Sequence, residues 1–470
     1  MELKKIKHLH FVGIKGVGMT ALALCAQDLG IKVTGSDLKE VFVTDEILEK
    51  RKIEWKVGFK KENLVGKPDL VIVTGAHQGL ANPEAKASRK LGIKTITQGE
   101  AVGEFMKGKV GISTCGVGGK TTTAAMIATV LDKAGLKPSF AIGAGEIASL
   151  GVSGRYDKGN HFVAEADEYV ASPGIDNRPK FIFQKPRVIV ATNIEYDHPD
   201  VYPDLKAVLV AYKGFFEKIP DDGLLVACID NQNIRRLLTE IKAPVQTYGF
   251  SREADWQIEK IYFSQEQTLF NLVHQGMAVE EIKLQVPGKY NVLNATAAFA
   301  VGTFLGIGAQ KIKEGLKLFQ GTRRRFELIG EVGGVRVYDD YAHHPIEIKS
   351  MLAAAKGWFP GKRIIAIFQP HTFSRTKAFF DQFARAFSQA EVVIFTDIYS
   401  SAREKPLKGI NSRLLAQEAQ KYHPRPIYLA GKGEVAEYLS ENTKIGDIII
   451  TVGAGDIFLW HKEILKSLKS

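Results

Sequence analysis

The chain has 470 residues, 45% hydrophobic and 24% charged. That is the balance of a globular protein of two to four domains at roughly 100–200 residues each, and no apolar run reaches the roughly 20 residues of a membrane span. The net charge of +11 is spread along the chain without a basic tail, so it is read as a solvated surface or an attraction for polyanionic small molecules, not as a nucleic-acid face; three scattered cysteines, Cys25, Cys115 and Cys228, make neither a disulfide framework nor a zinc site, and the expected compartment is the cytoplasm.

The N-terminus, MELKKIKHLHFVG, reads as a first strand, because its apolar stretch is broken at Gly13, Lys15, Gly16 and Gly18 and so lacks the core of a signal peptide. HLHFVGI, IKVTGSD, DLVIVTGA and KTITQG then alternate with helical patterns, as short β-branched runs bounded by glycine. This predicts a doubly wound parallel sheet. A second series runs through KVGISTCG, HFVAEAD, RVIVATNIE, LLVACID and VQTYGF. Trp256 to Leu284 alternates polar and apolar residues, which predicts antiparallel strands, and LNATAAFAVGTFLGIG predicts a helix. After GTRRRF a third α/β series follows: GVRVYDD, KRIIAIFQP, EVVIFTD, PIYLAG and DIIITVGAG. The expected fold is therefore α/β in three domains, residues 1–106, 107–321 and 322–470.

STCGVGGKTTT lies between a predicted strand and a predicted helix, where a phosphate loop belongs. Gly116, Gly118 and Gly119 let backbone N–H groups crowd around phosphate oxygens, and the helix N-terminus adds partial positive charge. Lys120 can reach the β- and γ-phosphates, the Thr121 hydroxyl can ligate Mg²⁺, and Thr122 beside it is a further expected ATP-binding residue. Thr114 stands where the longer form of the motif has its first glycine, so the loop is the short G-x-x-G-K-T variety.

Two acidic segments close strands of the same series. AEADE holds Glu165, Asp167 and Glu168, and TNIEYDH holds Asn193, Glu195, Asp197 and His198. Ligands bind at the carboxyl edge of such sheets. Carboxylate and phosphate oxygens suit Mg²⁺, so Glu165 with Thr121 is the expected cage for Mg-ATP, and His198 the expected member of a second metal site.

Read in order, GIKGVGMT, GSD, GVGGKTTT, EADE, TNIEYDH, VPGKYNVLNA, GTRRRFE, DDYAHHPIE, FQPHTFSRT and GAGD resemble the Mur ligase family of ATP-dependent amide-bond ligases in peptidoglycan precursor synthesis, from about residue 7 to 457. The resemblance implies a Rossmann-like N-terminal domain for the UDP part of the substrate, a central P-loop domain for ATP, and a Rossmann-like C-terminal domain that closes over the site. The segments are most similar to the branch that joins L-alanine to UDP-N-acetylmuramate through an acyl-phosphate, as a monomer or homodimer. Residue by residue, the resemblance implies Lys120 and Thr121 as the phosphate-loop pair, and Glu165 and His198 as metal-site residues. It implies Asn291 at the adenine, Arg324 on ATP and Asp340 near the ribose. His343 and His344 would face the substrates, Arg375 would lie near the amino acid and the sugar-bound carboxylate, and Gly13, Gly16, Gly18 and Asp37 would line the UDP pocket.

The chain departs from the family at several positions. Val117 and Gly118 replace a threonine and a histidine, Tyr290 a histidine, and Thr372 and Phe373 an arginine and a tyrosine. Lys15 replaces a glycine; this breaks G-x-G-x-x-G and speaks against a dinucleotide oxidoreductase, and the lysine either pairs with a pyrophosphate or faces solvent. Lys213, downstream of His198, reads as a surface helix lysine. AEADEY resembles the branch that attaches a recycled tripeptide, so that ligase and a non-catalytic nucleotide-binding relative stand as alternatives.

Overall fold

The computed structural model describes residues 3–198, 200–264, 266–400, 404 and 406–469. Five strands, β1 (His8–Val12), β2 (Lys32–Asp37), β3 (Glu54–Val57), β4 (Leu70–Val73) and β5 (Lys94–Thr97), form a parallel sheet in the order β3-β2-β1-β4-β5. LVIV of β4 is buried throughout, as a strand covered on both faces must be. The order reverses beside β1, and in-register pairing of Val12 with Ser36 and Val73 brings Gly13, Asp37 and Thr74 to one edge.

The second sheet has ten strands: β6 (Val110–Cys115), β7 (Ser139–Ala141), β8 (Gly154–Arg155), β9 (His161–Glu165), then, past the small β10 (Val170–Ser172) and β11 (Asp176–Pro179) pair, β12 (Val188–Ala191), β13 (Leu224–Cys228), β14 (Val245–Gly249), β15 (Trp256–Ser264), β16 (Gln267–His274) and β17 (Met277–Leu284). Its order is β17-β16-β15-β14-β13-β12-β6-β9-β7-β8. From β12 through β9 the strands are parallel, and Cys115 pairs with Ala191 while Thr114 pairs with Glu165. The residues following β6, β9 and β12 therefore share the carboxyl edge. The last three strands form a meander whose β16–β17 turn has positive φ at Gln275 and Gly276, the geometry of a tight hairpin.

The first two sheets share one apolar core. Phe162, Ala164 and Ala141 pack in the same cluster as Phe11, Leu22 and Cys25, and the Cys25 thiol lies 3.2 Å from the Phe140 carbonyl. Residues 1–262, 269–285 and 291–322 accordingly make one compact unit.

The second unit comprises 263–268, 286–290 and 323–470. Its sheet contains β18 (Glu327–Val332), β19 (Val335–Asp340), β20 (Ile364–Phe368), β21 (Val392–Phe395), β22 (Pro426–Tyr428) and β23 (Ile448–Val452), in the order β18-β19-β23-β20-β21-β22. Five strands are parallel and the edge strand β18 is antiparallel. IIAIF, VVIF and IIITV are wholly buried, with apolar clusters on both faces. The three-domain α/β architecture expected from the sequence is present. Among the described residues no helix is long and apolar enough to cross a membrane.

Candidate active site

The phosphate loop joins β6 to the helix Lys120–Lys133. Gly116 has φ +133°, and a Cβ there would stand 2.2 Å from the Thr192 hydroxyl and 2.7 Å from the Asn193 carbonyl; Gly119 has φ +85°, and a Cβ would stand 2.6 Å from Asn294 Oδ1. Both positions require glycine. The loop is braced from the end of β12. Gly118 N–H donates to Asn193 Oδ1 at 2.9 Å, and the Gly118 carbonyl accepts from Asn193 Nδ2 at 2.7 Å and from the Thr192 hydroxyl at 2.6 Å. Thr114 donates its hydroxyl to the Lys120 carbonyl at 2.9 Å. It thus closes the loop where a longer motif would place glycine. From the helix Lys289–Phe304, Asn294 accepts from the Thr123 hydroxyl at 3.1 Å and donates to Asn291 Oδ1 at 3.2 Å.

Lys120 points into the acidic edge. Its ammonium lies 3.2 and 3.1 Å from the two Glu168 oxygens. Burial disfavours its charge, but Glu168, Asp167 and Glu165 overcome that and raise its pKa. Thr121 donates its hydroxyl to Glu165 Oε2 at 3.0 Å, and Gly143 N–H fixes Oε1 at 2.5 Å. Glu168, Asp197 and His198 offer ligand atoms all within 4.8 Å of one another. His198 holds a left-handed backbone, φ +57°, its ring 4.9 Å from Tyr169. Its pKa is raised: burial opposes the charge, and Glu168, Asp197 and Asp167 outweigh it. A cation seated there would displace the imidazole proton. Asp167 is turned away from the cluster onto Lys180 at 2.7 Å; burial opposes its charge, but Lys180 and Lys120 hold its carboxyl below the usual range. Glu195 accepts from Asn231 at 2.8 Å. Lys213 is a helix lysine paired with Glu240 at 2.5 Å.

At the edge of the first sheet, Gly13 takes φ +84° and Gly16 caps the helix Val17–Asp28, with Gly18 in its first turn. Asp37 accepts from the N–H groups of Lys15 at 2.7 Å and Leu38 at 2.8 Å, with His77 at 3.7 Å. The solvent-facing alternative for Lys15 is corrected. The residue is buried, its ammonium 3.3 Å from the Leu38 carbonyl and 3.1 Å from Asp45, over the rings of Phe42 and Trp55 at 5.0 and 4.5 Å. Two aromatic faces, the carbonyls of Leu38 and Glu40 and the Asp45 carboxylate replace the water a surface lysine would keep.

In the second unit Arg324 turns its guanidinium inward, to Asp339 at 2.9 Å and to the carbonyls of Gly455 and Gly453 at 3.1 and 2.6 Å. Asp340 accepts from Phe326 N–H and Ala342 N–H, each at 2.8 Å, and burial pushes its carboxyl up to about 6. Glu347 accepts from the backbone of His343 at 3.1 Å and His344 at 3.3 Å at the start of the helix Pro345–Trp358. His343 lies 6.3 Å, ring to ring, from His371, which stacks on Tyr399 and sits 3.5 Å from Arg375. His344 is buried instead, edge-on to Phe379. Thr372, with φ +70°, caps the helix Phe373–Ala378 and accepts from Arg375 N–H at 3.4 Å.

The structure thus gathers Lys120, Thr121, Glu165 and His198 at one edge, and His343 and Arg375 in another cluster. Asn294, Thr192 and His371 lie inside the segments VPGKYNVLNA, TNIEYDH and FQPHTFSRT, but nothing local in those segments gives them a role. Thr192 was inferable from topology alone, because β12 neighbours β6 and both end at the same edge.

Three family models match in succession: Mur ligase family, catalytic domain, over residues 8–110; Mur ligase middle domain over 115–302; and Mur ligase, glutamate ligase domain, over 324–455. A UDP-N-acetylmuramate–L-alanine ligase from Geobacter sp. (strain M21) is 39% identical over 99% of this chain and 98% of its own length. One of the same name from Carboxydothermus hydrogenoformans is 39% identical over 97% of this chain and 96% of its own. Among solved structures, a UDP-N-acetylmuramate–alanine ligase from Thermotoga maritima is similar at TM-score 0.80 and 26% identity, covering 98% of each chain. A murein peptide ligase from Psychrobacter arcticus reaches 0.72 and 25%, covering 99% of each. With its phosphate loop, its acidic sheet edge and all three successive domains accounted for, the chain belongs to the Mur ligase family.

Proposed function

We propose that this protein joins L-alanine to the lactoyl carboxylate of UDP-N-acetylmuramate, using ATP, in the cytoplasm. The observation that carries the reading is the edge where Lys120 and the phosphate loop meet Glu165, Glu168, Asp197 and His198. The names of relatives 39% identical over nearly the whole chain supply the substrates.

The donor set fits divalent cations. Thr121 and Glu165 would hold Mg²⁺ beside the phosphates, and Glu168, Asp197 and His198 a second cation, hydroxyl and carboxylate oxygens being what Mg²⁺ prefers. When bound, the metal neutralises phosphate charge and lessens repulsion between two anionic substrates. The chain's own groups supply the rest. Gly116 to Thr122 would cradle the ATP phosphates, and Lys120 would leave Glu168 for the γ-phosphate and stabilise its charge as the sugar-bound carboxylate attacks. ADP leaves as the acyl-phosphate forms; the alanine amine then attacks the acyl carbon, and the amide bond forms as the C–O bond to phosphate breaks and the amine nitrogen gives up its proton to water or the departing phosphate. Asn291 is assigned to the adenine and Asp340 to the ribose; Arg324, which the family resemblance assigns to ATP, is held here by Asp339, Gly453 and Gly455 and would have to leave them to reach the nucleotide. Gly13, Lys15, Gly16, Gly18 and Asp37 would hold the UDP moiety, with Lys15 acting through its anchored backbone. Arg375 gives the cluster it forms with His343 and His371 a fixed positive charge suited to a carboxylate.

The test is phosphate release from ATP with UDP-N-acetylmuramate and Mg²⁺, comparing L-alanine, glycine, L-serine and the recycled tripeptide, with product mass measured. Release with L-alanine and the mass of its amide is expected; use of the tripeptide alone would move the protein to the recycling branch. Arg375→Ala should raise the KM for amino acid or sugar nucleotide at least about tenfold, the loss of one charge-assisted contact. The KM for ATP should hold; unchanged substrate KM values would remove Arg375 from the site.

A further inference from the structure

An open cleft of about 820 Å³ lies in the first unit, at the end of the central sheet opposite the phosphate loop. Its wall includes Lys109 to Gly111 at the start of β6, Asn160 just before β9, and Lys185 to Arg187 just before β12. Lys218 closes it from the segment that follows the helix Leu205–Phe216. Four cationic residues thus line one concavity, and no acidic or aromatic residue is among those that line it.

Two of the four are committed to the fold. Lys109 donates to the carbonyls of Asp157 at 2.8 Å and Gly159 at 2.5 Å. Arg187 pairs at the rim with Asp222 at 3.1 Å. Among the described residues, neither the Lys185 nor the Lys218 ammonium has a hydrogen-bond or ion-pair partner. Burial and the neighbouring Lys185 charge pull the Lys218 pKa down, as like charges held together without a counter-ion should.

We propose that this cleft is a second anion site, taking a small ligand with two or more phosphate groups and separate from the nucleotide site at the phosphate loop. Several converging cations select multiple negative charge. The absence of an aromatic wall leaves a nucleobase nothing to stack on, so the cleft reads phosphate and not base. Its concavity suits a compact ligand better than a nucleic-acid backbone, which would need the basic surface to continue beyond the rim.

Tripolyphosphate, titrated calorimetrically into the full-length protein at low salt without metal, tests this. The wild type should bind at two sites, the phosphate loop and the cleft. Lys120→Ala should lose the first and keep the second. Lys185→Ala/Lys218→Ala should lose the second, its cleft affinity falling at least about tenfold with two charge-assisted contacts gone. The double variant should keep wild-type ligase turnover and melting temperature, since neither ammonium is bonded within the fold; Lys185→Gln/Lys218→Gln, longer and still polar, serves if the alanines unfold the chain. Wild-type stoichiometry in both double variants, loss of all binding in Lys120→Ala, or no binding by the wild type overturns the proposal.

Discussion

Lys120→Ala should lower ligase turnover by at least about a hundredfold, the scale expected when a fixed positive donor is taken from a developing anion. The side chain is the cation that the phosphate loop aims into the acidic edge, where it pairs with Glu168 at 3.1 Å. Two anions must approach one another in the proposed chemistry, and no other lysine or arginine of the loop itself lies between Gly116 and Thr122. Steady-state phosphate release checks the size of the loss. A melting curve separates it from unfolding, because removing Lys120 also leaves Glu168 with less positive charge to face. Lys120→Arg should not restore activity: the Lys120 ammonium already touches both Glu168 oxygens, and a planar fork cannot take the same compact position. Near-normal turnover in the alanine variant would sink the assignment of the loop.

How much of this arrangement is legible in the sequence depends on the range over which each part is determined. Strands buried on both faces appear as uninterrupted apolar runs, so β4, β12, β20, β21 and β23 are readable from LVIV, VIVA, IIAIF, VVIF and IIITV. Edge strands are not. EWKV of β3 is exposed along most of its length, and ELIGEV of β18 alternates too weakly to stand out. β7, β8, β10 and β11 are at most four residues long and form only because neighbouring strands supply their partners.

The site divides in the same way. The phosphate loop is local, with glycines, lysine and threonine contiguous, and can be read directly. Its bracing by Thr192, Asn193 and Asn294 spans 74 to 171 residues of sequence and depends on strand order and helix packing. Gly118, a departure from the family pattern, is held by its backbone N–H and carbonyl, which explains why a side chain is dispensable there. Thr372, which stands where the family has an arginine, works as a helix cap. Lys15 misleads most: lysines are rarely buried, and the two rings and two carbonyls that hold it come from four separate positions of the loop and strand beyond β2.

Arg324→Ala should destabilise the second unit by about 3–5 kcal/mol, the range for removing one partner of a buried ion pair. The guanidinium is nearly inaccessible and makes three directed contacts, to Asp339, Gly453 and Gly455, so the variant strands a fully buried carboxylate and two carbonyls together. The acid limb of the stability profile gives a second readout. Burial opposes the Asp339 charge, but hydrogen bonding to His461, the charge of Arg324 and the Thr451 hydroxyl outweigh it and hold the carboxyl below 3.8, its ordinary value. A carboxylate depressed in the folded state contributes stability that is present above the unfolded pKa and is lost as pH falls through the folded value. The wild type should therefore lose stability below about pH 4 with a slope that the alanine variant, lacking the arginine, shows less steeply. Arg324→Lys should recover only part of the loss, since one ammonium cannot reach a carboxylate and two carbonyls in the guanidinium's geometry. Denaturant unfolding at neutral and acid pH measures both effects. A fall in ATP affinity with stability and acid slope intact would instead mean that Arg324 leaves Asp339 to serve the nucleotide, and that the buried pair is not what fixes this arginine.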